Sequence, residues 1–557
     1  MLIASQRPSL AMSNLARITK ASIRAASSIN TASFDKRLRN SRPSNRLTVF
    51  TEPRATKESV IKRITDNVDA PDPGWEERAA VILASPRHAS WLNDKSFMAE
   101  LVSALDSPGT GGPSFHVLAA VVDGLSPRAP SRKLQEGLSI HLGSRSSLLP
   151  GLWDETSSGE GQPTLPQRAQ SEESSSLSIL LPRNVTAKDA RISLTLPLAN
   201  TLFQTGRRST LLASEWTHGR TFELARMAEK HSQVVDLPSS FMFDKVNARA
   251  PLVPITQPRK VLEGLGNILA KVEIDGEPSP ASKELQINIP RLLDARRSLL
   301  QSEAAIGRVG VWAVIYPSHM FGPDGDLVRF HYIIDGRFLG TALGKLAFDM
   351  STDPERVAWE TQPVIRNALF QGARIHRILS GGGEWGAKAS LLSLDPQTSH
   401  VRESEEAELD KFIRSFHNDH DANDAIAKPG DYVQYFIERD PVQLSSEKKR
   451  RLNVEPREYP PIRFGVGDMS LKDIDPPDLH LESRRRHHPG SANWFTWDHF
   501  GGYSAEGIYL SAGGVGPNTK LDVPGATVSM TTAKGAVVNG ASYAPFKRLN
   551  LNKKIDT

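Results

Sequence analysis

The residues best suited to binding chemistry form a glycine-rich run in the second half of the chain. Because glycine has no side chain, its backbone N–H group can approach a phosphate or another anion closely. A predicted strand precedes the run, and one lysine follows its last glycine. The run therefore predicts a ligand-binding loop that consists of Gly381, Gly382, Gly383, Gly386 and Lys388.

Two nucleotide-binding patterns fit this loop only in part. Gly381, Gly383 and Gly386 satisfy the G-x-G-x-x-G spacing, but an acidic helix is predicted where a dinucleotide fold needs a second parallel strand. As a phosphate loop, the run has its lysine displaced by one position, because Ala387 precedes Lys388, and Ala389 after that lysine offers no magnesium-binding hydroxyl. Two interpretations stay open: a tight turn at a packed strand end, and a loop that binds another kind of ligand.

A basic and aromatic segment near residue 490 is the candidate nucleic-acid contact. Arginines neutralise phosphates and aromatic rings stack on unpaired bases, so their combination suits single-stranded RNA. The alternative is a solvated basic loop beside a buried aromatic cluster, because acidic residues come directly before the arginines. The candidate residues are Arg484, Arg485, Arg486, Trp494 and Trp497.

The remaining polar segments complete no catalytic or metal-binding pattern. The acidic segment 417–424 lacks the glycine and the final glutamate of a calcium loop. Residues 502–507 are one residue too long for the G-x-S-x-G nucleophile turn. The adjacent Asp498 and His499 suit acid–base chemistry but have no third group to orient them. The sequence thus assigns no catalytic residue, no metal site and no cofactor.

Composition excludes several further classes of chemistry. The chain has 557 residues and no cysteine, which rules out disulfides, thiolate nucleophiles, and zinc or iron–sulfur sites built on cysteine. We find no apolar run of 18 residues, so the sequence predicts no transmembrane helix.

Basic charge is concentrated in the N-terminal leader. The first 50 residues carry nine Lys or Arg and one acid, a net charge of +8 in a chain whose total is +5. An apolar stripe along Ala11, Leu15 and Ile18 lies apart from Arg17 and Lys20 on a helical wheel. This pattern is typical of a mitochondrial presequence. The alternatives are a disordered basic arm that binds nucleic acid and an incidental tail.

The elements that position these residues alternate between predicted helices and strands. Helical spacing is found in 57–105, 221–231, 261–269, 290–305, 354–370 and 403–416, and period-2 or continuous apolar runs predict strands at 115–122, 177–180, 192–198, 309–316 and 327–334. The mixture predicts an α+β or α/β fold, with a mixed sheet, surrounding helices and an irregular Gly/Pro-rich C-terminal region.

Composition shifts divide the chain into five predicted parts. They are a presequence (1–46), a mixed helix and strand segment (55–142), a Ser/Gly/Pro-rich linker or loop (143–176), a central α/β region (177–400) and a C-terminal region (401–557).

One segment carries a resemblance to a known group of proteins. The motif Ile-Leu-Ser-Gly-Gly-Gly-x-Trp-Gly-x-Lys at 378–388, followed by Leu-Leu-Ser-Leu-Asp-Pro at 391–396, resembles an uncharacterised family of filamentous-fungal, mitochondrially targeted proteins. Segments 196–211 and 501–504 are similar to further blocks of that family. The resemblance implies a mitochondrial address and no particular activity. Glu384 stands where the family pattern has a glycine, and its carboxylate disfavours an anion in the loop.

We therefore expect a soluble protein of the mitochondrial matrix that acts in organelle maintenance or gene expression by binding an RNA or ribonucleoprotein. The alternative is a small-ligand-binding or enzymatic α/β domain that uses the glycine loop. A third possibility is a structural subunit of a larger protein assembly.

Overall fold

The computed structural model describes eighteen stretches of the chain. They are residues 45–66, 77–106, 114–127, 131–154, 175–182, 191–219, 221–237, 245–300, 309–322, 333–334, 337–338, 362, 364–381, 390–400, 425–439, 460–469, 493–512 and 518–531.

The helices are few and mostly short. The α-helices are α1 (Lys57–Thr65), α2 (Lys95–Leu105), α3 (Arg145–Leu148), α4 (Leu202–Thr205) and α5 (Lys283–Leu300), and residues 364–370 are also helical. Two 3-10 helices cover Pro86–Asn93 and Ser318–Met320.

Strands are the commonest secondary structure among the described residues. In chain order they are β1 (Arg46–Thr51), β2 (Arg78–Ala84), β3 (Ser114–Val121), β4 (Gly124–Leu125), β5 (Gly137–Ser144), β6 (Ser176–Pro182), β7 (Arg191–Pro197), β8 (Leu211–His218), β9 (Phe222–Glu229), β10 (Ser232–Asp236), β11 (Lys245–Arg249), β12 (Leu252–Pro254), β13 (Arg259–Leu265), β14 (Ile268–Ile274), β15 (Glu277–Pro280), β16 (Val311–Tyr316), β17 (Ile333–Ile334), β18 (Arg337–Phe338), β19 (Arg374–Gly381), β20 (Leu392–Leu394), β21 (Tyr432–Glu438), β22 (Ile462–Val466), β23 (Asn493–Trp497), β24 (Gly502–Ser504), β25 (Ile508–Ser511), β26 (Thr519–Leu521) and β27 (Thr527–Thr531).

A seven-stranded sheet pairs the first described strand, β1, with β23 from the C-terminal part of the chain. Its strand order is β23-β1-β5-β2-β3-β8-β9, and Leu47 of β1 lies opposite Trp497 of β23. β2 and β3 are parallel, and the 3-10 helix Pro86–Asn93 with α2 forms the crossover that a parallel pair requires.

Both faces of this sheet are buried. On one face, Ala80 and Ile82 pack with Val117 and with apolar residues of α1 and α2. On the other face, Val81 and Leu83 enter a larger core. Burial on both faces is the reason that β2 and β3 read as continuous apolar runs instead of alternating ones.

The larger core is shared with two five-stranded sheets. Their strand orders are β10-β6-β7-β25-β26 and β11-β27-β22-β24-β4. Alternate residues of β6 and β7, among them Ile179 and Leu194, point into this core together with Phe464 of β22. The outer side of β16 closes it with Trp312 and Val314.

A closed β-barrel occupies the region between residues 259 and 438. Each of β13, β14, β20, β19, β16 and β21 is antiparallel to its neighbours, and the pairing of β21 with β16 closes the ring. β12 and β15 extend it at β21 and β14. Inward-facing residues such as Val261, Leu269 and Val433 form a separate core, which α5 joins through Leu285 and Leu292.

The predicted α+β or α/β fold, a mixed sheet with surrounding helices, is wrong. Strands hold 48% of the structure and helices 21%, so this is a β-rich protein with a closed six-stranded barrel. The physical reason is that short apolar runs do not distinguish a strand from a helix until their pairing partners are known.

Three segments that were predicted as helices illustrate this. Residues 221–231 have helix-favouring Glu, Leu, Ala and Arg, yet β9 pairs with β8 from end to end, and this pairing overrides local propensity. Residues 261–269 form the β13–β14 hairpin, whose turn uses Gly266 at φ +55°. The predicted helix around Ala79 and Ile82 is β2.

Other predicted elements are confirmed. Leu177–Leu180 and Ile192–Leu198 correspond to β6 and β7, which pair antiparallel. The strand at 309–316 corresponds to β16. The helix predicted from Pro290 begins earlier, at Lys283.

Several predictions concern residues outside the described ones. They are the leader up to residue 44, most of the linker (155–174), the strand at 327–332 and the acidic helix at 403–416. The first residues of the predicted linker are described, and Leu148, Leu149 and Leu152 are buried in the larger core.

Within the described stretches, the helices lack the length and hydrophobicity needed to cross a bilayer.

Candidate functional site at the mouth of the barrel

A groove lies between α5 and the ends of three barrel strands. Its volume is about 620 Å³. We call it the rim groove, and its lining is Ser282, Leu285, Gln286, Ile289, Pro290, Val309, Gly310, Val311, Arg377, Ile378, Leu379, Ser380, Gly381 and Leu392. Most of these residues are apolar, and Leu285 and Leu392 also belong to the barrel core, so the groove borders that core.

A β-bulge shapes the strand side of the groove. Ile378 of β19 lies opposite Leu394, whereas Ser380 lies opposite Ser393, so Leu379 is an extra residue in β19. A bulge bends its strand and redirects side chains. Leu379 is 57% exposed as a result, which leaves an apolar side chain at the edge of the groove.

The helix side of the groove contains a proline inside α5. Pro290 has no N–H group to donate to the carbonyl of Gln286, one turn earlier, and such a proline kinks a helix. Gln286 is exposed and Ile289 is half-buried. The helix segment around Pro290 therefore lines the groove together with the bulge of β19.

A charge-balanced cluster flanks the groove at Arg377. The Arg377 guanidinium lies 5.9 Å from the centre of the Trp312 ring, and the Trp312 indole N–H donates to Asp522 over 2.7 Å. Lys520 Nζ lies 3.2 Å from Asp395 Oδ2. Burial raises the pKa of the Asp522 carboxyl, while the hydrogen bond from Trp312 and the charge of Lys520 act in the opposite direction.

Beneath the groove, the barrel interior contains a polar layer. Ala313 of β16 lies opposite His376 of β19 on one side and Tyr435 of β21 on the other. Both polar side chains are buried. Burial lowers the pKa of His376 to about 4 and raises the pKa of Tyr435. At neutral pH both side chains are therefore uncharged.

Of the predicted loop residues, the structure describes only Gly381. Gly381 is the last residue of β19 and lines the rim groove. A Cβ added at Gly381 would lie 3.2 Å from Leu392 Cδ2, so glycine keeps this edge of the groove open. The other predicted loop residues, Gly382, Gly383, Gly386 and Lys388, lie outside the described residues.

Of the predicted nucleic-acid residues, the structure describes two. Arg484, Arg485 and Arg486 are outside the described residues. Trp494 and Trp497 belong to β23, in the seven-stranded sheet and not in the barrel. The structure therefore separates the aromatic segment from the rim groove.

The adjacent Asp498 and His499 have structural roles. Asp498, at φ +48°, forms an ion pair of 3.4 Å with Arg46. His499 is fully buried, and its Nδ1 lies 2.9 Å from Thr48 Oγ1. Because His499 has no exposed surface, this pair does not line an open site.

Sequence reasoning missed His376, Tyr435 and Asp522. His376 lies in the strand that was predicted before the glycine run. Tyr435 lies in β21 and Asp522 directly follows β26, and neither segment was predicted as a strand. Their partners come from strands far away in the chain, and no local motif marks them.

Comparison with known proteins adds no further assignment. The chain matches no family model, no curated protein and no solved structure. The class that the geometry defines is thus a β-rich protein with a ligand-sized groove at the mouth of a six-stranded barrel.

Proposed function

We propose that this protein binds a small, largely apolar molecule in the rim groove. The observation that carries the proposal is an open groove of about 620 Å³ with mainly apolar walls. Binding sites for small molecules commonly measure roughly 300–1,000 Å³ and are lined chiefly by apolar side chains. This proposal keeps one part of the sequence-based alternative, a ligand site that includes Gly381.

Exposed apolar surface supports the proposal. Leu379 leaves more than half of its surface in water, and full burial of a leucine side chain is worth about 1.5–3 kcal/mol. A ligand that covers Leu379 therefore gains on the order of 1 kcal/mol from this side chain alone. The neighbouring walls, Ile289 and Ile378, extend the same apolar contact.

Two tryptophan substitutions on α5 test the proposal. Gln286 lines the groove, whereas its neighbour Ile287 is 45% exposed and does not. Gln286→Trp should fill the groove, and Ile287→Trp adds the same bulk to the same helix as a matched control. With N-phenyl-1-naphthylamine as a neutral fluorescent probe, we expect wild type and I287W to bind alike and Q286W to bind at least tenfold more weakly. Equal binding by wild type and Q286W would exclude the groove as the binding site.

We also propose, as a second function, association with RNA through the basic and aromatic segment. The position of β23 supports this proposal, because β23 is an edge strand of the seven-stranded sheet. The Phe495 and Trp497 rings are both partly exposed, with centroids 4.8 Å apart. Arg484, Arg485 and Arg486 precede Asn493 by nine, eight and seven residues, so the arginines are close to the strand in the sequence.

Charge reversal tests the RNA proposal. The triple variant R484E/R485E/R486E should weaken binding to a 20-nucleotide oligouridine at least tenfold and reduce its salt dependence, because phosphate contacts release counterions. The control K449E/R450E/R451E changes the charge equally at another basic run. If both variants lose affinity equally, the binding is non-specific, and if neither does, the segment is not the contact.

We further propose that the protein acts in the mitochondrial matrix. The basic, apolar-striped leader supports this location. Isolated mitochondria should import and process the full chain, and R17Q/K20Q/R24Q should abolish import. Import of the variant at the wild-type rate would contradict the proposal. Sedimentation of a mitochondrial lysate with and without ribonuclease then shows whether the protein travels with an RNA-containing particle.

A further inference from the structure

Two buried polar atoms inside the barrel have no hydrogen-bond partner within the described residues. They are the Tyr435 hydroxyl and His376 Nε2. Tyr435 is fully buried and His376 is 2% exposed. Buried polar atoms nearly always have a partner, since an unsatisfied one costs about 1–3 kcal/mol. Two such atoms in one barrel indicate that something else supplies the hydrogen bonds.

The barrel register places both residues in the same layer. Each lies directly opposite Ala313, one on either side of β16. Directly opposite residues of antiparallel strands point to the same face of the sheet, and Tyr435 and Ala313 both belong to the interior core. Ala313 has only a methyl side chain and lies between the two larger polar residues in this layer.

This layer lies immediately below the rim groove. Val311 and Ile378 line the groove, and they are two residues from Ala313 and His376 on β16 and β19. Residues two apart on a strand share a face and are separated by about 7 Å. A molecule that enters the barrel from the groove therefore meets His376 and Tyr435 as the next layer.

Hydrogen bonding fixes what His376 offers to such a molecule. His376 Nδ1 lies 2.8 Å from the backbone carbonyl of Asp395, and a carbonyl only accepts, so Nδ1 carries the proton. In the neutral ring Nε2 is then an acceptor. Tyr435 supplies a hydroxyl, which donates and accepts. The layer thus requires a group that donates to His376 and accepts from Tyr435.

We propose that the rim-groove ligand carries an uncharged hydroxyl group, which enters the barrel, donates to His376 Nε2 and accepts from the Tyr435 hydroxyl. The inference rests on the proposed groove function and adds the chemical class of the ligand, an apolar alcohol. A carboxylate has no proton to donate to Nε2, and its charge would be costly to bury. An ether accepts from Tyr435 but cannot donate to His376.

Three molecules with the same number of heavy atoms separate the two hydrogen bonds. They are 1-undecanol, 1-methoxydecane and dodecane, used to displace N-phenyl-1-naphthylamine from the full-length protein. Relative to wild type, Tyr435→Phe should bind 1-undecanol and 1-methoxydecane about tenfold more weakly. His376→Phe should bind only 1-undecanol about tenfold more weakly. Neither variant should change the binding of dodecane. A tenfold loss is about 1.4 kcal/mol, the size of one uncharged hydrogen bond.

The outcomes distinguish this inference from the groove proposal. If all three molecules displace the probe but Tyr435→Phe binds 1-undecanol like wild type, the polar layer holds water only and the inference is wrong. A uniform loss for all three molecules would likewise reject it, since packing and not the hydroxyl would be responsible. If none displaces the probe, or if Q286W binds them like wild type, the groove proposal itself fails. Tyr435→Phe keeps the shape of the side chain, so the test stands even where His376→Phe does not fold.

Discussion

Removal of the Tyr435 hydroxyl should stabilise the ligand-free protein. Tyr435 is fully buried on β21, and its hydroxyl has no partner within the described residues. Folding takes this hydroxyl from water without returning a hydrogen bond. Phenylalanine fills the same space and has nothing to desolvate. We therefore expect Tyr435→Phe to raise the free energy of unfolding.

Tyr316 offers a matched comparison for the magnitude. It is also buried, on β16, but its hydroxyl donates to Gln434 Oε1 over 2.9 Å. Tyr316→Phe leaves the Gln434 oxygen unsatisfied and should cost about 1–2 kcal/mol. Tyr435→Phe removes an unsatisfied group and should gain about 1 kcal/mol, so the two variants should differ by roughly 2–3 kcal/mol.

Urea unfolding followed by tryptophan fluorescence measures this difference. If the free energy of unfolding falls with urea concentration at the same slope in each variant and only the midpoint shifts, the stability has changed and the surface exposed on unfolding has not. If Tyr435→Phe destabilises the protein as much as Tyr316→Phe, the Tyr435 hydroxyl has a partner in the free protein and the reasoning fails. Saturating 1-undecanol should stabilise wild type more than the variant, because a ligand stabilises the folded state according to its affinity.

Three further predictions concern stability. Asp106→Ala should cost about 3–5 kcal/mol in urea unfolding, because Arg78 and Asp106 form a buried ion pair and the variant removes its carboxylate. Wild type should lose stability as the pH falls from about 6.5 towards 4. His376 has a pKa of about 4 in the folded protein, so in this pH range the unfolded chain binds a proton that the folded chain does not. The loss of stability that His376 causes is at most about 3 kcal/mol. Asp94→Ala should cost about 1 kcal/mol, because Asp94 caps α2 by accepting from the backbone N–H of Ser96 at 2.9 Å.

Each of these predictions has a control. The double variant R78M/D106L should recover much of the stability lost in Asp106→Ala, and failure to recover would mean that the pair is not the cause. In His376→Phe, the slope of the free energy of unfolding against pH should correspond to nearly one proton fewer than in wild type. An unchanged slope would mean that His376 does not cause the pH dependence. Asp94→Asn should cost far less than Asp94→Ala, since asparagine also caps helices well.

Local patterns identified some elements correctly. The alternation in β6 and β7 was visible because each strand buries one face, and Pro197 comes last in β7, where a proline is tolerated. The strand before the glycine run was likewise predicted, and it is β19. α5 was predicted only in part, because Pro290 was taken as a first turn although it lies inside the helix.

Local patterns failed where pairing decides the conformation. Residues 222–229 favour a helix on their own, yet β8 offers a row of backbone partners that a helix at the sheet edge would leave unpaired. The apolar run of β2 is buried on both faces, so it lacks the alternation that marks a strand. In both segments, the deciding information lies in residues far away in the sequence.

The sequence by itself determined the absence of cysteine chemistry, the basic leader and the glycine at the end of β19. Only the tertiary structure decided where the candidate site lies. β16 and β21 are more than a hundred residues apart, and their pairing closes the barrel and places Tyr435 in one layer with His376. Backbone hydrogen bonds between distant strands depend on which segments meet in the folded chain, and no local spacing of side chains encodes that meeting.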